Sequence, residues 1–512
     1  MHQDTITGSK AGITIAAMAA ALMSVLDISI VNVALSDIRA SFGTPLDQIA
    51  WVSTGYMMAN VVVIPMTGWL QRRFGYKRYF TASILMFTAA SVLCGLAWNL
   101  PSLVVARILQ GMGGGAIIPT SQAILFARYP AKEHGMAGAL FGLGAVTGPL
   151  LGPTVGGMLI EVASWHWIFL INVPVGLFAA YMAWRHIEQP AFAPSTVKVD
   201  RSGIALLAVG MAALQFVLEE GNREDWFDSQ KITLLAVVAG VALITFVVHE
   251  LETPNPVVDL RVFANRSYAA ATGINFIVGT ALFGGSFLFS LYCGTVMHYS
   301  ALDIGLIFLK GSAIQLLLMP LIGRFGSRVD GRVLVGAGIL GMCLSLWTNG
   351  HLSSTADEAA MIVPVFIRAC SLGFIFVPLS VMALSNLRPD QRGNAAGLFS
   401  LTRELGGSIG TAWMSSALSR LTKVNTVALT SHVDAYGQVA QEQLAAMKAA
   451  VASRVVDPLS AAYSLIAQRI NGQALVRAFN ANYTVLTAVF ALSLALVFLL
   501  KPARPGVRVD AH

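Results

Sequence analysis

The chain has 512 residues, of which 56% are hydrophobic and only 12% charged, and its mean hydropathy is +0.69. Soluble domains carry about a quarter charged residues, so this composition excludes a soluble globular protein and assigns most of the length to membrane spans. The net charge of +7 is dispersed between apolar segments rather than gathered in a patch, which argues against a nucleic-acid surface and makes the basic residues topology signals.

Apolar runs near the 20 residues needed to cross a bilayer recur along the whole chain. They predict fourteen spans near 13–36, 49–70, 79–97, 102–126, 136–160, 166–184, 202–219, 231–249, 267–293, 303–323, 333–350, 359–385, 394–418 and 480–500. With the N-terminus inside, the inner segments hold twenty lysines and arginines and the short outer loops three, Arg39, Arg223 and Lys231. Because basic residues stay in the cytoplasm, both termini are expected there. No short apolar core followed by a cleavage site begins the chain, so the first apolar segment is expected to remain in the mature protein.

Pro65-Met-Thr-Gly68 followed by Arg73 is echoed by Pro320-Leu-Ile-Gly323 followed by Arg328 at an offset of 255, and Arg107 by Arg368 at an offset of 261. The echo predicts a duplicated six-span unit. The expected organisation is an N-terminal six-helix bundle at 1–190, two inserted spans and linkers at 191–260, and a C-terminal six-helix bundle at 261–512. A long outer loop at 419–479 has apolar residues at helical spacing in Asp434–Leu444 and Leu465–Asn471, predicting an ordered helical hairpin. The fold class expected is therefore an all-α integral membrane protein of fourteen transmembrane helices, two six-helix bundles plus two inserted central helices.

Charges inside spans are costly and are functional candidates by default. In chain order the first is Asp27, deep in span one, where desolvation raises a carboxyl pKa into a range in which it can cycle a proton; the alternative is a neutralised structural pair with Arg107. Gly68-Trp-Leu-Gln-Arg72-Arg73-Phe-Gly75-Tyr-Lys-Arg78 closes span two, either as a positive anchor or as a gate latch. Arg107 opens Arg-Ile-Leu-Gln110-Gly-Met-Gly-Gly-Gly115 in span four; as a permanent cation it is expected to tune an acid or to make a structural ion pair. Gly144, Gly148, Gly152 and Gly156 form a smooth stripe on span five, with Pro149, Pro153 and Gly157 beside it, which serves close helix packing and is compatible with control of leak. Lys310, Arg368 and the adjacent Arg403 and Glu404 complete the buried charges. The last two could satisfy each other, whereas Lys310 has no local partner and could pair with Asp27, snorkel, or receive an anionic ligand.

Cys94, Cys293, Cys343 and Cys370 each lie in an apolar run, which indicates neither a disulfide framework nor a zinc cluster. Histidines with metal-ligand spacing and a Gly-x-x-x-x-Gly-Lys-Ser/Thr phosphate loop are both missing from the sequence. No metal and no cofactor is expected, and the energy source is not expected to be ATP bound by this chain. An enzyme would show carboxylates or histidines clustered near one membrane face, and a sensor would carry a soluble output domain; neither pattern is present.

The constellation resembles the fourteen-span drug:proton antiporters of the major facilitator superfamily. The resemblance covers nearly the whole chain and rests on Leu26-Asp27 through Asn32-Val-Ala-Leu35, the loop from Gly68, Arg107 to Gly111, Gly148-Pro149-Leu-Leu-Gly152-Pro-Thr-Val-Gly156-Gly157, Trp165-His-Trp-Ile-Phe-Leu-Ile-Asn172-Val-Pro174-Val-Gly176, Glu224-Asp-Trp-Phe227 and Arg403-Glu-Leu-Gly-Gly-Ser-Ile-Gly410. It implies the major facilitator fold and proton-coupled efflux of hydrophobic or amphiphilic compounds across a bacterial inner membrane. Asp27 would then carry the proton, with Arg107 as its coupling partner and Arg403 and Glu404 as further coupling residues. Position in the spans makes Asn60, Gln110, Asn275, Phe283, Lys310 and Gln315 the candidate substrate contacts. The resemblance also implies a periplasmic adaptor and an outer-membrane channel as partners, with 419–479 as the docking surface. Two departures stand out: Arg72 replaces the acid usual in the loop motif, and Lys310 stands where a small residue or proline is common. Uptake by proton symport is the competing reading, opposed by the span-five signature.

Overall fold

The computed structural model describes residues 8–130, 133–188, 199–353, 355–385, 387–388, 391–431, 438–451 and 457–501. The described chain is built from helices: α1 Lys10–Phe42, α2 Trp51–Phe74, α3 Tyr76–Gly95, α4 Leu100–Arg128, α5 His134–Val162, α6 Trp167–His186, α7 Arg201–Glu220, α8 Gln230–Glu252, α9 Arg266–Thr295, α10 in two segments Ala301–Ser312 and Ile314–Phe325, α11 Gly331–Asn349, α12 Glu358–Ser385, α13 Arg392–Ser431, α14 Gln438–Val451 and α15 Pro458–Leu492. Among the described residues eleven helices are long and apolar enough to cross a bilayer.

Helix starts are set by local chemistry. Ser9 accepts from the Gly12 amide at the start of α1, Asn99 and Ser102 form a reciprocal capping box on α4, and Asn265 accepts from the amides of Ser267 and Tyr268 on α9. These caps satisfy amides that a helix end leaves unpaired. The turn between α2 and α3 is a single residue, Gly75, at φ 80°. That left-handed backbone strains any residue with a Cβ, which accounts for the glycine in the basic motif.

Helices α1 to α6 pack as one set, in which α1 lies against α5, α6 and α4, and α4 against α2 and α3. The span-five glycine stripe makes the α1–α5 contact. A Cβ on Gly148 would stand 2.7 Å from Val25 and Leu26, and one on Gly152 only 2.3 Å from Ser29, whereas one on Gly157 would meet open space. The stripe thus serves close packing, and it grips α1 on either side of Asp27. The side chains of Pro149 and Pro153 lie outside the described residues.

Helices α9 to α13 and α15 form a second set around a large apolar core. The two sets meet at the ends that carry the basic turns. A Cβ on Gly68 of α2 would lie 2.5 Å from the Asn394 backbone on α13, one on Gly397 would lie 2.8 Å from the Ile64 carbonyl, and one on Gly135 of α5 would lie 2.8 Å from the Gly323 carbonyl on α10. Phe141 stacks on Phe376 between them at 5.8 Å. At the opposite end α7 lies between the sets. Its Phe216 packs on Trp51, Glu220 accepts from the Thr54 hydroxyl, and Gln215 donates to Ser408 of α13.

Two boundaries differ from those expected. Helix α13 does not stop near 418 but runs to Ser431, and the last span is the end of α15, which begins at Pro458. Both helices continue well past the apolar segment, and Asn425 and Thr426 of α13 bond to Ala474 and Asn471 of α15. Hydropathy marks where lipid ends, not where a helix ends, and the alanine-rich continuation has good helix propensity. Of the amphipathic stretch expected from Asp434, residues 434–437 lie outside the described residues, and the remainder falls in α14.

Candidate functional site

Asp27 sits at the middle of α1 and is fully buried. Arg107 Nη1 on α4 donates to its Oδ2 at 2.6 Å, while Gln110 Nε2 and Asn172 Nδ2 donate to its Oδ1 at 2.8 and 2.7 Å. Arg107 is held in turn: its Nε donates to the Val52 carbonyl at 3.1 Å, Nη1 also reaches Gln110 Oε1 at 2.6 Å, and the guanidinium lies 4.2 Å from the Tyr56 ring centroid. Gln110 Nε2 also donates to Ser91 Oγ at 2.8 Å. Helices α4 and α6 therefore converge on the one carboxylate of α1, α2 and α3 hold Arg107 and Gln110 in place, and the ring faces of Tyr56 and Phe169 shield the cation.

A buried ion pair of this kind does not readily stabilise a fold, because desolvating both charges offsets their attraction. Its bonding differs between the two protonation states of the carboxylate. With the carboxylate charged the network is satisfied; with it protonated, Arg107 loses its anion and the donors compete for a weaker acceptor.

The expectation that Asp27 and Arg107 meet is met in this geometry. Gln110, expected to face substrate, has its amide occupied by Asp27, Arg107 and Ser91 and belongs to the acid's network. Asn172 and Ser91 were not among the expected site residues. Asn172 lies within the Trp165–Gly176 string, but an amide in an apolar helix carries no signal of its partner 145 residues away.

A narrow void between the sets is lined by Asn60, Gly114, Pro119, Ser400, Arg403 and Glu404, which places three expected substrate or coupling positions on one surface. Arg403 and Glu404, which could satisfy each other, form no salt bridge among the described residues, since consecutive helical residues point about 100° apart, but they stand close enough for their charges to act on each other. Arg403 lies 5.2 Å from the Phe376 ring. Asn275 is buried and donates to the Phe399 carbonyl at 2.6 Å, tying α9 to α13. Phe283 packs where a Gly407 side chain would stand, at 2.4 Å, and Gln315 is buried with its Nε2 unbonded.

The expectation for Lys310 is corrected. It is exposed and donates to Glu358 Oε1 at the start of α12 at 2.6 Å, while Asp27 is paired with Arg107. An exposed pair of this kind contributes about 0–1 kcal/mol. Lys310→Ala is therefore expected to leave the thermal unfolding midpoint nearly unchanged, and a loss of several degrees would show that the pair is structural. Of the motif residues in the basic turn, Gly68 and Gln71 are buried at the contact between the sets, and Arg72 and Arg73 occupy the last turn of α2. Among the described residues no group of histidine, cysteine, aspartate and glutamate could hold a metal ion.

Residues 17–411 match the family model described as Major Facilitator Superfamily. The chain is 33% identical to the multidrug export protein EmrB of Haemophilus influenzae over 96% of its own length and 95% of that protein. It is also 33% identical to the fatty acid resistance protein FarB of Neisseria gonorrhoeae, over 96% of each. Among solved structures, the human organic anion transporter MFSD10 matches with a TM-score of 0.60 over 96% of this chain and 99% of that one, at 13% identity, a likeness of fold alone.

Proposed function

The chain belongs to the major facilitator superfamily, and from that premise we propose that it exports hydrophobic or amphiphilic toxic compounds in exchange for protons. It is a multi-pass membrane protein and a transporter by family; the finer reading is that α2, α5 and α13 join the eleven evident spans to make fourteen, in a bacterial inner membrane with both termini in the cytoplasm. The division at 1–190, 191–260 and 261–512 gives two alternating bundles and two inserted helices. The extensions of α13 and α15 with α14 offer a periplasmic surface for an adaptor and, through it, an outer-membrane channel.

The observation that carries the reading is a single carboxylate, Asp27, buried without exposure and ion-paired to Arg107. The names of its relatives, export of multiple drugs and resistance to fatty acids, supply the class of cargo. With the basic turns inside, the structure is closed to the cytoplasm. In this state Asp27 holds Arg107. A proton arriving from outside neutralises Asp27, favours release of the compound and frees the network; the proton then leaves to the cytoplasm and the inward-facing state is reset. Glu404 and Arg403, at the void between the sets, would sense cargo and charge there, beside Asn60.

The test uses proteoliposomes with an imposed pH gradient, adding a hydrophobic cation and an acidic amphiphile in turn. Antiport predicts that each transported compound moves protons opposite to itself. Protons moving with the compound would replace export by symport uptake, and no compound-dependent proton movement would end the reading.

A further inference from the structure

The second set of helices contains a near copy of the Asp27 site with its acid missing. Arg368 of α12 follows Arg107 by 261 residues, and Ser286 of α9 follows Asp27 by 259. The two pairs meet alike: Arg107 Nη1 donates to Asp27, and Arg368 Nη1 donates to Ser286 Oγ at 2.9 Å. Each guanidinium also faces an aromatic ring, Tyr56 at 4.2 Å in the first set and Phe308 of α10 at 5.2 Å in the second. A helix of the sixth-span position closes both, through Asn172 to Asp27 and through the Tyr483 hydroxyl to the Gly285 carbonyl.

Arg368 is only 9% exposed. A buried guanidinium has five donors and requires an anion or several acceptors. Ser286 satisfies one of them. No acid among the described residues pairs with Arg368, and its Nε and Nη2 have no protein acceptor yet are not sealed from solvent. Serine is neutral, so this position supplies Arg368 with an acceptor but with no negative charge.

We propose that Arg368, with Nη1 held by Ser286, receives the carboxylate of an amphiphilic acid, which supplies the negative charge that Asp27 supplies to Arg107 in the first set. The planar guanidinium suits a carboxylate bidentately through the free Nε and Nη2, while Ser286, whose hydroxyl donates to the Leu282 carbonyl, accepts from Nη1 and fixes the cation, and the Phe308 ring lies against it. The inference rests on the export reading for why such an acid is bound, and it names one class of cargo.

The test is equilibrium binding of 1-naphthoate and its neutral isostere 1-naphthamide to the purified full chain, against empty micelles. Wild type is expected to prefer the carboxylate at least tenfold. Ser286→Asp supplies the missing acid and Arg368→Gln removes the cation, so in each the preference is expected to fall to about one. Ser286→Asp keeps a buried pair of the kind the first set already tolerates, which covers the case in which Arg368→Gln does not fold. A preference that survives Ser286→Asp, or no preference in wild type, overturns the proposal. Because binding is read without a proton gradient, failed coupling in proteoliposomes would strike the export reading and leave this result standing, and the converse also holds.

Discussion

Asp27→Asn is expected to reduce compound-driven proton movement to the level of empty liposomes while leaving binding of the compound measurable. Asparagine keeps the shape of the site but cannot cycle a proton. It also removes the anion from a guanidinium that is 1% exposed. In soluble proteins, breaking a buried pair costs about 3–5 kcal/mol. Here Arg107 keeps the Val52 carbonyl, Gln110 Oε1 and the Tyr56 ring, so a lower unfolding temperature is expected rather than loss of the fold. Proton flux and binding measured on the same preparation separate the two effects. A mutant that still couples would move the proton site to another acid, of which Glu404 is the first to examine.

The second large effect is expected at Gly68. A Cβ there would lie 2.5 Å from the Cα and N of Asn394, and backbone cannot give way as a side-chain tip can. Gly68→Val should therefore oppose closure of the ends that carry the basic turns. Overpacking costs about 1–3 kcal/mol, and about 2 kcal/mol shifts a two-state equilibrium roughly thirtyfold. Transport is expected to fall by a similar factor, with the protein held open at the basic ends. Gly336→Val is the matched control, because a Cβ there meets nothing within 4 Å. Equal losses in both would mean that bulk in a membrane helix, not closure, is responsible.

Much of the site was legible because charge in an apolar span is rare. Asp27 and Arg107 stand out from hydropathy alone, and in the structure they meet. The glycine stripe of span five was legible as a smooth face, although not as a face gripping α1 on either side of Asp27. Uncharged members of the network were not legible: Asn172 and Ser91 are ordinary residues whose importance comes from the helices that bring them together. Lys310 was misread because its partner, Glu358, lies 48 residues downstream at a helix start. Arg403 and Glu404 were legible as a charged pair, although not as two side chains that leave the helix in different directions and line the void between the sets. The degenerate site at Arg368 was half legible, since its arginine echoes Arg107 but its missing acid is a serine that gives no signal. The inserted α7 was legible as an extra span, while its place between Trp51 and Ser408 depends on packing that no single helix encodes.

The account stands on protonation of Asp27 switching the basic ends between closed and open. The most direct measurement is the distance between spin labels at Phe74 and Val329, which are 50% and 47% exposed at the basic ends of the two sets, recorded across pH in wild type and Asp27→Asn. Wild type is expected to show the short, closed distance when Asp27 is charged and a longer one on acidification, with Asp27→Asn at the longer distance throughout. A wild-type distance that ignores pH, or a mutant that follows pH as wild type does, would contradict the account.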